Sequence, residues 1–517
     1  MLPSISTIPF SSSFIDDQQQ WVDRISKTFE NNLVVDTDLP ICIFQTPENL
    51  TTEKPESYVP QHIGLGPIHH FQTERYSKQE QMKLTTAKTM LTPYKITSHF
   101  KKVIVTDNLK ELVPELRSCY DLYFDVNDDT LAWIFAIDGV FLIDLLIKLS
   151  EGDSLQLFED IVMLENQIPV VVLMEIWTAL EQHLSGVCNN SFLSNVLIKI
   201  VETRSPLKFS RRLTRIDLDI TSRFHLLDCM YHLIVNHNVS AKNQFNRNNF
   251  LDDVIDLEDV ENAVQMAGDL CPGANAFLQP LLIILKLPWD KIITLIKKLL
   301  GENPAVLEID IPSASELSRI GKTEFCMTPG GIRDVEFDDE TNTFYLPILD
   351  LKSDSEVILR NLVAYEGLMF TNRTFTNLDF TEYVDIMCGI IDSVKDVRIL
   401  RDKNIIEGDL EDEEIVKLFN GISKSNLKTD EESGLQKTVA RVNKYYGNVP
   451  RVKVYHFIKK YFLAWWKVIA IVFSLVNLML LLFQGVCQFY ECNDRVGFGF
   501  VRFVSVVGNE NNRLFDY

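Results

Sequence analysis

Apolar residues recur at helical spacing along most of this chain. An amphipathic helix is expected over 18–31, with Trp21, Val22, Ile25 and Phe29 on one face. A second is expected over Gln72–Leu91. Leu131–Leu149 is almost wholly apolar, interrupted only by Asp138 and Asp144 among charged residues before Lys148. Glu159–Leu180 repeats that character, and Pro169 within it marks a new helix start. Further helical patterns cover Phe224–His237, the acidic-faced 251–267, and 278–300, which Pro288 divides. Others cover 311–325, capped by Ser313 with Glu316 three residues on, Ile358–Phe370 and a pair over Phe380–Ile406. The segment 407–424, EGDLEDEEIVKLFNGISK, opens with acids that favour another helix start. The period changes to two over Ile332–Leu349, where Val335 and Phe337, then Phe344, Leu346 and Ile348, flank a polar turn and predict a β-hairpin.

The longest uncharged run is Val468–Cys487. Twenty residues at about 1.5 Å each reach roughly 30 Å, the thickness of a bilayer's hydrocarbon core. Trp465, Trp466 and Lys467 precede it as interfacial anchors. Asn477 lies near mid-depth. It either bonds across a helix–helix interface, favouring a homodimer, or bonds its own backbone. Leu131–Leu149 is a poorer span, because each mid-membrane carboxylate costs roughly 2.5–3.5 kcal/mol. A buried core helix is expected there. The fold class predicted is therefore mainly α: a large helical domain with a small β-hairpin element, followed by one C-terminal transmembrane helix. The divisions are a variable segment (1–57), the helical domain (58–436), a basic juxtamembrane helix (437–467), the span (468–487) and a tail (488–517).

The formal net charge of −22 argues against nucleic acid as a partner. The basic run from Lys437 to Lys467 is local. Cys42, Cys119, Cys188, Cys229, Cys271, Cys326, Cys388, Cys487 and Cys492 show no CxxC spacing, which predicts reduced thiols rather than a disulfide framework or zinc site. The N-terminus carries no apolar run of signal length, so insertion is expected to depend on the C-terminal span.

Several groups have the residue types that chemistry needs. His62, His69 and His70 lack a carboxylate or thiol at ligand spacing, and turn packing is expected of them. Asp138, Asp144, Glu165 and Glu175 have no histidine partner at catalytic spacing, and are expected to cap helices or pair with arginine. His225 and His232 share a helix face, as core or surface residues. Gly321-Lys322-Thr323 ends like a phosphate loop, but Glu316 stands where its first glycine belongs. The acidic turn after Asp334 lacks the glycine and final glutamate of a calcium loop. There is no GxSxG, HExxH or Rossmann glycine pattern. No catalytic residue, cofactor or metal is expected.

IGLGPIHH, LAWIFAIDGVFLIDLL, LENQIP (Leu164–Pro169), FHLLDCMYHLI, IPSASEL (Ile311–Leu317), the Arg360-Asn361-Leu362 stretch, DSVKDVRILRDKNII and the terminal span together resemble the plant domain-of-unknown-function 247 family. The order and spacing match over 58–487. The resemblance implies a mostly helical domain with one C-terminal span and no established chemistry. Grass members of that family are linked with self-incompatibility loci, as pollen-side determinants of self-recognition.

The function expected is that of a single-pass, membrane-anchored plant recognition or adaptor protein, with a self-incompatibility determinant as its specific form. The alternative is a membrane-tethered enzyme. The expected partners are membrane lipid, through the span, and a protein. Polar loops at 185–195 and 238–250 are candidate contact surfaces. Arg451, Lys453, Lys459, Lys460 and Lys467 outnumber Arg495 and Arg502, which places the large domain in the cytosol by the charge rule, in the plasma membrane or an endomembrane. Sequons at Asn49, Asn189, Asn238 and Asn372 would be glycosylated if it faced a lumen.

Overall fold

The computed structural model describes residues 40–236 and 311–449, apart from short internal stretches, and a few single positions elsewhere. The chain divides into two compact units, Met1–Asn443 and Lys444–Tyr517, and the described residues lie almost entirely in the first. The expected helices at 18–31, 251–267 and 278–300, the span at 468–487 and the tail fall on positions outside the described residues, apart from isolated single ones.

Helix α1 is Glu48–Glu53, α2 Gly66–His70, α3 Thr73–Leu91 and α4 Val113–Ser118. Helix α5, Asp128–Glu151, is the axis of the N-terminal half. Its start is set by Asn127, whose side-chain oxygen accepts from the Thr130 N–H at 2.8 Å, and by Asp128 and Asp129 in the positive first turn. It stops at Gly152, whose φ of 100° is left-handed. Among the described residues α5 is the helix long and apolar enough to cross a membrane, yet most of it is buried by protein. It packs against α3, α7 (Val170–Ser185) and α8 (Ser191–Arg204). At Gly139 a Cβ would lie 2.5 Å from Ile176 Cδ1, so glycine sets the close approach of α5 and α7.

The core-helix expectation for Leu131–Leu149 holds, and its acids explain how. The Lys83 ammonium of α3, fully buried, lies 2.8 Å from Asp138 Oδ1 and 2.8 Å from Glu80 Oε1. The Gly66 N–H donates to Asp138 Oδ2 at 2.8 Å. Gly66 adopts φ +71°, which favours glycine and aims that amide. Asp144 pairs with Lys148 one turn on, at 2.6 Å. The acids are thus satisfied by lysine and backbone rather than by arginine.

Short helix α6 (Phe158–Ile161) ends before the LENQIP turn, and α7 begins directly after Pro169, as expected. Helix α9 is Leu226–Val235. In the C-terminal half α10 is Ala314–Arg319, capped by Ser313. The helix expected over 311–325 is therefore shorter: Lys322 adopts φ 53°, and Glu324–Met327 form strand β1. Strands β2 (Glu336–Asp338) and β3 (Thr343–Leu346) are the expected antiparallel hairpin, with Phe337 opposite Phe344. Strand β1 adds parallel to β3, with Phe325 beside Phe344, so the hairpin belongs to a three-stranded sheet. Strand β4 (Leu349–Leu351) pairs in parallel with β5 (Ile406–Gly408). Between them lie α11 (Ser355–Thr371), α12 (Asp379–Ile390) and α13 (Val394–Asp402). Helices α14 (Asp412–Asn420) and α15 (Gly434–Asn448) follow.

The LENQIP turn ties these pieces together. Asn166, buried, accepts from the Leu65 N–H at 2.5 Å and donates to Ile63 O at 2.9 Å and Asp160 O at 2.8 Å. Gln167 donates to Ile161 O and Met163 O and accepts from the Leu227 N–H. Replacing Asn166 by alanine strands one N–H and two carbonyls in the interior, at about 1–3 kcal/mol for each unpaired group. Urea unfolding of Asn166→Ala should show a loss of about 3 kcal/mol or more, whereas Thr89→Ala on the exposed face of α3 should stay within about 0.5 kcal/mol.

Candidate functional site

Three places gather polar groups densely enough to be weighed as sites. The first is the junction around LENQIP. Asp160 receives the backbone N–H groups of Gln61, His62 and Ile63 at 2.9, 2.6 and 2.7 Å, which fixes the loop leading into IGLGPIHH. Asn361 of α11 accepts from the Leu164 N–H at 2.8 Å and donates to Ser57 O and Val357 O, each at 2.8 Å. Glu165 accepts from the Thr46 N–H at 3.2 Å. His69 is buried 3.9 Å from Glu165 Oε1, and neither of its ring nitrogens has a hydrogen-bond partner. Burial, then the Lys83 and Arg75 charges, lower its pKa from 6.5 to about 4, so the ring is neutral near pH 7. Burial raises the Glu165 carboxyl, against the pull of the Thr46 N–H.

The second place lies between α9 and α11. Asp228, in the first turn of α9, accepts from the Tyr365 hydroxyl at 2.7 Å and from the Phe224 N–H at 2.9 Å, and lies 3.2 Å from His232 Nε2. Burial works to raise the Asp228 carboxyl, but His232, His225 and the Phe224 N–H outweigh it and hold it below the ordinary value. His225 caps the helix: its Nδ1 accepts from the Asp228 N–H, and its Nε2 meets Cys42 O at 2.9 Å. Glu366 receives the Tyr231 hydroxyl and the Phe380 and Thr381 N–H groups, and burial still raises its pKa. The Tyr231 ring stacks on Phe375 at 4.9 Å. The carboxylate oxygens here point at protein donors, and burial raises the adjacent Cys229 thiol well above its usual value, so this is a closed hydrogen-bonded core rather than a reaction centre.

The third is an open pocket of about 420 Å³ between α3 and α5, lined by His70, Glu80, Leu84, Asn127, Asp129, Thr130, Trp133, Ile134, Ile137 and Asp138. Its volume suits a side chain or a small ligand. Trp133 and Leu84 are exposed apolar surface at its rim. Its carboxylates are already engaged: Asp138 by Lys83 and Gly66, Asp129 by Lys110 at 2.7 Å, and Glu80 by Lys83. Each of these carboxylates holds an ion pair, while Asp129 and Glu80 also stay open to solvent. The arrangement suits binding.

The imagined carboxylate set is not brought together. Asp138 faces the pocket, Asp144 pairs along its own helix, and Glu165 sits in the LENQIP turn. No group of three or more metal-ligating side chains occurs among the described residues. Of the glycosylation candidates, Asn49 is exposed on α1 and Asn372 is exposed at the end of α11. Asn189, Asn238, Asn477, Trp465, Trp466 and Lys467 lie outside the described residues, as does the loop at 238–250. Residues 191–195, placed in a loop by sequence, open α8. Sequence reasoning missed Lys83, an unremarkable lysine in a polar helix pattern, because nothing local announces that α5 covers it.

The family model described as plant protein of unknown function, DUF247, matches residues 43–480. A UPF0481 protein of Arabidopsis thaliana is 29% identical over 531 residues, covering 94% of this chain and 97% of its own. No solved structure matches the chain.

His69 gives a pH test. Above pH 6.5 the ring is neutral in both folded and unfolded chains. Between pH 6.5 and 4 the unfolded chain takes up a proton that the folded one does not, so stability falls as the pH falls. The shift corresponds to about 3 kcal/mol. Chemical denaturation from pH 7 to 4.5 should show that acid-side loss in the parent chain, and a flatter profile in His69→Met.

Proposed function

This chain belongs to the DUF247 family of plant proteins, and we propose that it is a recognition or adaptor protein without catalytic activity, anchored in a membrane through Val468–Cys487. The observation that carries the reading is the fate of the family's polar signature. Asn166, Gln167, Asp160, Asn361 and Asp228 are buried and bonded to the chain's own backbone or side chains, and Asp138, which faces the pocket, is held by Lys83 and the Gly66 N–H. Groups conscripted in this way hold a shape. A protein whose signature holds a shape, beside a pocket edged by Trp133 and Leu84, is suited to contact a partner surface, where aromatic side chains contribute strongly.

The anchor rests on the composition of 468–487 and on the flanking Trp465, Trp466 and Lys467. The charge rule assigns the large domain to the cytosol. Pollen-side self-recognition, the role linked with grass members, is the specific form of recognition we propose.

Fractionation of plant cells tests the anchor. The full chain should sediment with membranes and resist carbonate extraction, and a chain ending at residue 449 should be released to the supernatant. A full chain found in the supernatant overturns the anchor. In sealed vesicles, protease added outside should digest the domain, and endoglycosidase should remove nothing from Asn49 or Asn372. A protected, glycosylated domain would reverse the orientation. Expression in pollen, with altered rejection of self pollen when the chain is lost, tests the specific role.

A further inference from the structure

Residue Cys42 lies in an extended segment laid against the C-terminal end of α4. The N–H groups of Cys42 and Ile43 both donate to Cys119 O at 2.9 Å, and the Asp121 N–H donates to Ile43 O at 2.9 Å. Ile43 and Tyr120 form a parallel bridge. The direct bond from the Cys42 N–H to Cys119 O sets the two residues side by side, and a disulfide spans α-carbons about 4.4–6.8 Å apart. The side chains converge as well: the two thiols are near enough to shift each other's titration, Cys42 upward and Cys119 downward. The Cys119 thiol in turn lies 3.6 Å from Glu115 O. Both cysteines are unbridged here.

We infer that Cys42 and Cys119 are a disulfide-forming pair, a covalent modification site that fastens the segment around Ile43 to the end of α4. The two are 77 positions apart in sequence. Cys42 is fully buried and Cys119 partly exposed, so an incoming reagent meets Cys119 first. The nearness of Cys42 lowers the Cys119 pKa, while that same nearness and burial raise Cys42. Cys119 is the attacking thiolate and Cys42 the resolving thiol.

The oxidant is a small-molecule disulfide such as glutathione disulfide. The Cys119 thiolate attacks one of its sulfurs, forming a mixed disulfide and expelling one small thiolate. The Cys42 sulfur then attacks Cys119 Sγ, forming the Cys42–Cys119 bond and expelling the second. Two protein thiols lose two electrons, the small disulfide gains them, and the two thiol protons end on the two small thiols released. On an oxidising face of a membrane the bond would stand permanently, and on a reducing face it would form and break with the glutathione poise.

The linkage matters beyond α4. Cys42 O holds His225 Nε2, and His225 caps the helix that carries Asp228. A bond at Cys42 fixes that carbonyl in place.

The test uses the full chain, purified in mild detergent with reductant and equilibrated against glutathione–glutathione disulfide mixtures. Free thiols are alkylated, and the non-reduced digest is read by mass spectrometry. A peptide pair joined through Cys42 and Cys119 should accumulate as the mixture becomes more oxidising. The thermal midpoint of the oxidised form should lie about 5 °C above that of the reduced form. Cys119→Ser should abolish both the joined peptide and the midpoint difference, while matching the reduced parent chain. The inference is overturned if the joined peptide fails to form in the most oxidising mixture, if Cys42 is bridged to another cysteine instead, or if Cys119→Ser keeps the same midpoint difference.

Discussion

The fold hangs on a handful of buried side-chain amides that do the work of backbone. Asn166 supplies a donor pair and an acceptor to a loop that has no regular ladder of its own, and Asn361 does the same for the LENQIP turn and Ser57. A loop in the interior must satisfy every N–H and C=O somewhere. Here the partners come from asparagine, glutamine and aspartate, each with the donor and acceptor count the local backbone requires. Apolar substitution at these positions would leave the loops no interior path, so the helices they join could not pack where they do.

The same logic governs charge in the core. Lys83, Asp138 and Glu80 form an ion cluster between α3 and α5, completed by the Gly66 N–H. A single carboxylate on a helix as apolar as α5 would be very costly to bury, whereas a cation and a backbone donor together satisfy it. The cluster also gives α5 a fixed rotation, since only one face carries Asp138. A second acid, Asp396, works similarly in the other half. It receives Ser315 N–H from the IPSASEL segment and Ser393 N–H from the start of α13, and these bonds outweigh burial and hold its pKa low.

Much of the helical architecture was legible because it is periodic. The α5 pattern, the Pro169 boundary, the Ser313 cap and the Phe337–Phe344 hairpin are local signals, and the structure carries each. What was not legible is long-range. Strand β1 pairs in parallel with β3, and Glu324–Met327 carries too few residues for alternation to outweigh a preceding helix pattern. The partner of Asp138 could not be read from α5, because Lys83 arrives from another helix. Nor could the nearness of Cys42 and Cys119, since spacing along the chain says nothing of an extended segment bonding to the end of a distant helix. The motifs themselves were visible as words. That LENQIP, IGLGPIHH and the Asn361 stretch converge on one junction was visible only in three dimensions.

That junction has a temporal side. Asn361 bonds Ser57 across 304 residues of chain, and the Lys54–Glu356 ion pair spans 302. Ribosomes extend a chain at about 5–20 residues per second, so Ser57 waits on the order of 15–60 seconds for its partner. Through that interval the cover of α5 is complete at Arg204, while the LENQIP turn still lacks its tie to Asn361. Non-local closure of this kind slows folding. The nascent chain therefore spends most of its synthesis with its N-terminal helices made and the turn at their centre not yet fastened from the C-terminal side.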